Sequence, residues 1–126
     1  MENIDWKNLP FGYMPTDYNV RCTFSNGEWG PVEVSDSEYI PMHMAAACLH
    51  YGQEAFEGLK AFRGVDGKIR VFRMDENALR FQRSAEGIEM QPLPVEIFCE
   101  MVKKVVALNA RFVPPYGTCL LYTSPS

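Results

Sequence analysis

Two turn dipeptides restrict this chain more than any other feature. Asn26-Gly27 and Asp66-Gly67 each interrupt a stretch of alternating side chains. Both dipeptides tolerate the positive φ that tight hairpins need, so each predicts two antiparallel strands joined by a short turn. In "NVRCTFSNGEWGPVEVSD", Val32 and Val34 alternate with Glu33 and Ser35, as in a half-buried strand. In "GLKAFRGVDGKIRVFR", Leu59 and Ala61 point one way, and Lys60 and Phe62 the other. Ile69 and Val71 alternate likewise with Arg70 and Phe72. The intervening "EYIPMHMAAACLHYG" fits a strand or a short helix. Pro41 argues against an uninterrupted central strand, so it reads as an extended crossing segment.

The period then changes. "DENALRFQRSAEGIEM", residues 75–90, reads as a helix with Asp75 as N-cap and Glu76 near the positive end of the dipole. Ala78, Leu79, Ala85 and Ile88 recur at helical spacing, and Arg80 and Ser84 share a face one turn apart. Gly87 disfavours helix by up to about 1 kcal/mol relative to alanine and marks a kink or an early end. A second helix is predicted over "LPVEIFCEMVKKVVALNARF", residues 93–112, with Pro94 in its first turn and Asn109 at its stop. Ile97, Met101, Val105 and Leu108 form its apolar stripe, widened by Phe98 and Val102. Glu100 and Lys104 are placed for an i,i+4 pair worth about 0.2–0.5 kcal/mol. Strands followed by helices imply an α+β fold, a mainly antiparallel sheet carrying two main helices. Residues 1–18, with Pro10, Gly12 and Pro15, read as an irregular arm.

Composition narrows the function classes. At 126 residues the chain fits one domain, and 47% apolar residues suit a packed core. A net charge of −4 and the lack of a basic run argue against nucleic acid and anionic membranes as partners. Cys22, Cys48, Cys99 and Cys119 make no CxxC pair, and His43 and His50 are the only histidines, so no metal site is expected. Isolated cysteines behind a start without a basic-then-apolar leader read as reduced, buried thiols in the cytoplasm. No apolar run approaches the roughly 18 residues needed to span a bilayer.

No nucleophile elbow or phosphate loop of the GxxxxGK type occurs. What remains is an aromatic and glycine segment, "YGQEAFEGLKAF", followed by the second hairpin and a helix with Arg80 in its second turn. A helix-borne arginine can give a phosphate two parallel hydrogen bonds, or it can simply be a surface arginine. Tyr51 and Phe56 can equally be core aromatics.

The motifs themselves carry a resemblance. "LHYG", "FEGLKAF", "DGKIRVFR" and "NALRFQRSA" fall in the order and spacing of the branched-chain amino-acid aminotransferases, fold-type IV enzymes that use pyridoxal 5′-phosphate. The similarity runs over about residues 15–118 and implies that residues 19–118 form the small domain of that family. It implies transamination between leucine, isoleucine or valine and 2-oxoglutarate. Arg80 would bind the cofactor phosphate, Phe56 would line the pocket for the branched side chain, and Gly58 would let backbone approach the substrate. Tyr51 would reach into the pocket of a neighbouring subunit, in a homodimer or higher homo-oligomer. Glu57 and Lys60 match the motif and read as structural or exposed. The leucine and lysine after "FEG" favour this branch over D-amino-acid aminotransferases and aminodeoxychorismate lyases of the same fold.

The family's Schiff-base lysine, and the carboxylate facing the pyridine nitrogen, belong to a large domain that these residues do not include. Lys7, Lys60, Lys68, Lys103 and Lys104 lie outside any matching motif. The expectation is therefore a fragment inactive by itself. The family's Leu-Tyr-x-Arg-Pro after "YGT" is replaced by "CLLYTSPS", so residues 119–126 read as a non-native or truncated tail and Tyr122 receives no role. A free-standing domain binding a phosphorylated ligand or a protein is the remaining alternative.

Overall fold

The computed structural model describes residues 14–116. Most of the expected arm, and the tail from Cys119, lie outside them. The α+β architecture is as expected. Six short strands form three antiparallel pairs, and two fourteen-residue helices follow. Residues 14–18 contain no regular element.

The first hairpin is split. Its outer rungs pair β1 (Asn19–Arg21) with β4 (Glu33–Ser35), and its inner rungs pair β2 (Phe24–Ser25) with β3 (Glu28–Trp29). Asn26 at φ 53° and Gly27 at φ 83° make the two-residue turn that their sequence predicts. Gly30 donates to the Thr23 carbonyl at 2.8 Å, and Pro31, which has no N–H, follows it. The ladder is interrupted there. Expected alternation in β4 fails: Val34 is exposed while Ser35 is half-buried. Val34 faces Val20 across the pair, and of these two strands it is β1 that packs on α3.

The crossing segment resolves as irregular backbone ending in one turn of helix, α1 (Ala47–His50). Alternating burial then begins at Gln53 and runs through β5 (Ala61–Arg63). Gln53, Ala55, Glu57, Leu59, Ala61 and Arg63 turn inward, and their neighbours outward. Strand β5 pairs with β6 (Ile69–Val71) in the register Ala61 to Val71, Phe62 to Arg70 and Arg63 to Ile69. At its tip Gly67 takes φ 80°, and Asp66 accepts both Nη atoms of Arg70 at 3.0 and 2.7 Å. Those bonds hold the Asp66 carboxyl down to about 2.

Helix α2 (Met74–Gly87) starts one residue before its expected N-cap. The cap position is Arg73, in the left-handed region, and Asp75 makes no capping bond. Asp75 and Glu76 still lie in the first turn, beside the positive end of the dipole. The helix ends at Gly87 rather than residue 90. Met90 donates to Ala85 O at 2.9 Å and Glu89 to Glu86 O at 3.1 Å, the paired bonds of a Schellman end. Glu89, not the glycine, occupies the left-handed position, at φ 59°.

Helix α3 (Val95–Leu108) has Pro94 as its N-cap rather than inside its first turn. Asn109 stops it as expected. Its Nδ2 donates to Val105 O at 2.9 Å and to Tyr18 O at 2.8 Å, and its Oδ1 accepts the Tyr18 N–H at 3.0 Å. A 3-10 turn (Ala110–Phe112) follows. Arg111 donates twice to Asp17, at 2.7 Å each, and draws that carboxyl below its ordinary value. The end of α3 thus clamps residues 17 and 18. Glu100 and Lys104 form no ion pair.

The core lies between the helices. Ala78, Leu93 and Phe98 are buried at its centre, with Trp29, Leu59, Phe81 and Met101 packed around them. Phe81 and Phe98 approach at 5.9 Å between ring centroids. On α2 the inward face is Ala78, Phe81 and Ala85, while Leu79 and Ile88, expected inside, are exposed. Among the described residues no helix is long and apolar enough to cross a membrane.

Candidate functional site

The chemistry-bearing residues meet where the inward face of the 53–63 segment touches the first two turns of α2. Alternation places Glu57 inward, between Ala55 and Leu59. Helical spacing places Asn77 and Arg80 on the α2 face that meets it. Asn77 Nδ2 donates to Glu57 Oε1 at 2.8 Å and to the Gly58 carbonyl at 3.1 Å. Arg80 Nε donates to Glu57 Oε2 at 2.8 Å, and its Nη2 bonds the other carboxylate oxygen. This is a two-pronged guanidinium–carboxylate pair, geometrically selective as well as strong.

The pair is asymmetric. The Glu57 side chain is 5% exposed and that of Arg80 is 60% exposed. The hydrogen bonds from Arg80 hold the Glu57 carboxyl below its usual range. Burial opposes this, and the Asn77 bond adds to it. Glu57 in turn pushes the Arg80 guanidinium above its ordinary value. Outside the pair, Arg73, Arg80 and Arg83 border a cleft of about 500 Å³ with Phe72, Asn77 and Leu79. Its one carboxylate, Glu76, lies 3.5 Å from Arg73. With Glu57 set against Arg80 and Glu76 against Arg73, Arg83 leaves the cleft one net positive charge, which favours an anion.

Phe56 and Gly58 flank Glu57 on the outward side of the extended segment that leads into β5. Phe56 is 79% exposed. A Cβ added at Gly58 would meet the Phe56 ring at 3.5 and 3.6 Å, ordinary contact. Within this chain, therefore, a small side chain at 58 fits. Tyr51 caps α1 through its backbone N–H, which donates to Ala47 O at 2.8 Å, and its side chain is 87% exposed. The structure thus brings Phe56, Gly58 and Arg80 together around Glu57. It records no contact between Tyr51 and that group. The core-aromatic alternative for Tyr51 and Phe56 does not hold.

The sequence alone does not single out Asn77, and its expectation that Glu57 is structural or exposed gives way to a buried carboxylate bonded to Asn77 and Arg80. The available signal was a carboxylate on the inward parity of an alternating segment, with an amide and an arginine three residues apart on the next helix. A second concavity, of about 490 Å³, lies between the first hairpin and the helices, lined by Val20, Trp29, Phe81, Phe98 and Met101 among others. Its one titratable lining group, Cys22, is raised chiefly by burial, which keeps the thiol protonated. The described cysteines are half-buried rather than fully buried. Among the described residues no group of three or more potential metal ligands gathers.

An antiparallel α+β domain in which a polar cluster fixes an arginine beside an exposed aromatic and a glycine is the class defined by fold and site. Comparison with known proteins refines this. No family model matches the chain. Over 99% of its length it is 40% identical to the branched-chain-amino-acid aminotransferase of Haemophilus influenzae. It is 45% identical to the branched-chain amino acid aminotransferase 2, chloroplastic, of Humulus lupulus, and 39% identical to the Helicobacter pylori branched-chain-amino-acid aminotransferase, again over 99%. The chain covers 37%, 31% and 37% of those three proteins, about a third of their length. Along nearly its whole length the chain is thus similar to about a third of proteins named as branched-chain aminotransferases.

Proposed function

We propose that this chain supplies one wall of the active site of a pyridoxal-phosphate-dependent transaminase acting on leucine, isoleucine or valine with 2-oxoglutarate. The observation that carries the proposal is the 39–45% identity along nearly the whole chain to proteins named for that activity. The part of the cofactor this chain can be tested against is its phosphate, and the residues fit it. Arg80 is exposed, charged and held on a rigid helix, and the adjoining cleft carries an excess of guanidinium groups. A phosphate carries nearly two negative charges, which a guanidinium fork complements. When bound, the cofactor supplies an electron sink for bond cleavage at the amino acid's α-carbon.

In this reading Arg80 anchors the phosphate, Phe56 packs against the substrate's branched side chain, and Gly58 leaves room for substrate close to the backbone. The exposure of Phe56 supports an apolar surface open to a ligand. The tolerance of a Cβ at Gly58 within this chain puts the demand for glycine on what docks there. Tyr51, projecting freely, would complete the pocket of a second copy in a homodimer. The lysine and carboxylate that serve the cofactor's reactive end would come from the two thirds of the family's length that this chain does not span. The chain alone would then be inactive. Cytoplasmic action accords with the free cysteines.

A graft tests this. Residues 14–116 replace the matching third of the Haemophilus influenzae relative, and leucine transamination is measured. The graft should turn over leucine with 2-oxoglutarate. Arg80→Ala in it should raise the cofactor dissociation constant roughly ten-fold or more, the scale of a charged hydrogen bond. A folded, cofactor-loaded graft that transaminates no branched-chain substrate would refute the substrate class. An unchanged cofactor affinity in R80A would refute the anchor.

A further inference from the structure

We infer that Glu57 is a positioning residue: its buried carboxylate holds the Arg80 guanidinium so that the guanidinium's free edge faces an incoming phosphate-type dianion. This rests on Arg80 being the phosphate anchor. The family comparison gives Glu57 no role, and the geometry supplies one.

Arginine has five N–H donors. Nε and one Nη2 hydrogen of Arg80 go to Glu57. The second Nη2 hydrogen and one Nη1 hydrogen lie together on the guanidinium's end edge, and no other hydrogen bond from the Arg80 side chain is formed among the described residues. That edge is a second fork, and its direction is set by the first. Left alone, an arginine with this exposure samples many rotamers and loses that freedom on binding. Here the freedom is already gone before a ligand arrives.

The brace is itself anchored. Glu57 sits on the inward parity of the segment leading into β5, and Asn77, three residues before Arg80, bonds both its carboxylate and the next backbone carbonyl. The guanidinium is therefore referenced to the segment that bears Phe56 and Gly58, not to its own helix alone. Phosphate anchor and substrate wall are fixed at one distance from each other. A ligand with a phosphate at one end and reacting atoms at the other needs that fixed separation.

Glu57 is also an anion placed near an anion's seat. If it merely competed for Arg80, removing its charge would tighten dianion binding. If it positions Arg80, removing it loosens binding despite the lost repulsion. The two roles predict opposite signs. The other charged groups bordering the cleft are Arg73, Glu76 and Arg83, all on or at the start of α2.

The test titrates the full 126-residue chain with sulfate and follows the Arg80 Nε–H and the α2 amides by NMR. Sulfate keeps both charges across the range in which Glu57 titrates. Glu57→Gln should weaken sulfate roughly five-fold, the scale of one ordered side chain. Asn77→Ala leaves every charge in place and should weaken it less. Wild-type affinity should fall as the pH is lowered below the ordinary carboxylate value of 4.5, and E57Q should remove that fall. Tighter or unchanged binding in E57Q, with R80A abolishing it, overturns the positioning role and leaves the anchor standing. Should E57Q not fold, a folded N77A with unaltered affinity overturns it. Binding that survives R80A, or no sulfate response at Arg80 in the wild type, overturns the anchor itself.

Discussion

Phe98 and Phe56 are the same residue type in opposite situations. Phe98, on α3, is 9% exposed and packs at a tilt against Phe81, while Phe56 stands 79% exposed on the segment before β5. The contrast extends to whole regions. The helix pair folds its apolar side chains onto one another, around Ala78, Leu93 and Phe98. The segment from Tyr39 to Phe56 turns Tyr39, Ile40, Met42, Met44, Leu49, Tyr51 and Phe56 outward. Single exposed apolar residues need no explanation, but so many in one segment mark a surface that contacts something else. The helices hold the buried core of this chain, and the crossing segment leaves its apolar side chains open.

That division can be broken by mutation. The largest effect should come from Phe98→Ala, which empties the centre of the core. A loss of about 3–5 kcal/mol is expected in chemical denaturation, and a loss below about 1 kcal/mol would place the core elsewhere. Next comes Asn109→Ala. It removes three hydrogen bonds made by the buried Asn109 amide, two of them to the Tyr18 backbone, and should cost about 1–3 kcal/mol. Smallest are Tyr39→Ser and Met44→Ser, both on exposed side chains. Stability should move by no more than about 0.5 kcal/mol, while light scattering should report less self-association. A large stability loss from either would show that the segment packs within this chain after all.

Much of this was legible beforehand for a physical reason. Hairpin turns and helix stops depend on one or two residues, so Asn26-Gly27, Asp66-Gly67 and Asn109 announced themselves. Inward and outward parity in the second hairpin was equally readable. Helix starts were less so, because capping depends on backbone geometry: Arg73, a poor formal cap, took the position assigned to Asp75. Burial on α2 also misled. Periodicity names an apolar face, but only the neighbouring elements decide that Phe81 is covered and Leu79 is not. At the candidate site, Arg80, Phe56 and Gly58 were visible as motif residues. The Glu57 and Asn77 bridge was not, since it exists only once strand and helix are docked.

The alternation from Gln53 to Arg63 has a further consequence, for gene variation rather than for chemistry. Because the faces swap with every residue, adding or deleting a single position between Glu57 and β5 would turn its carboxylate to solvent and drive Phe56 toward the helices. Many substitutions in this stretch should be absorbed, but a change in its length should not. Natural variants of the segment are therefore expected to differ in letters and agree in count.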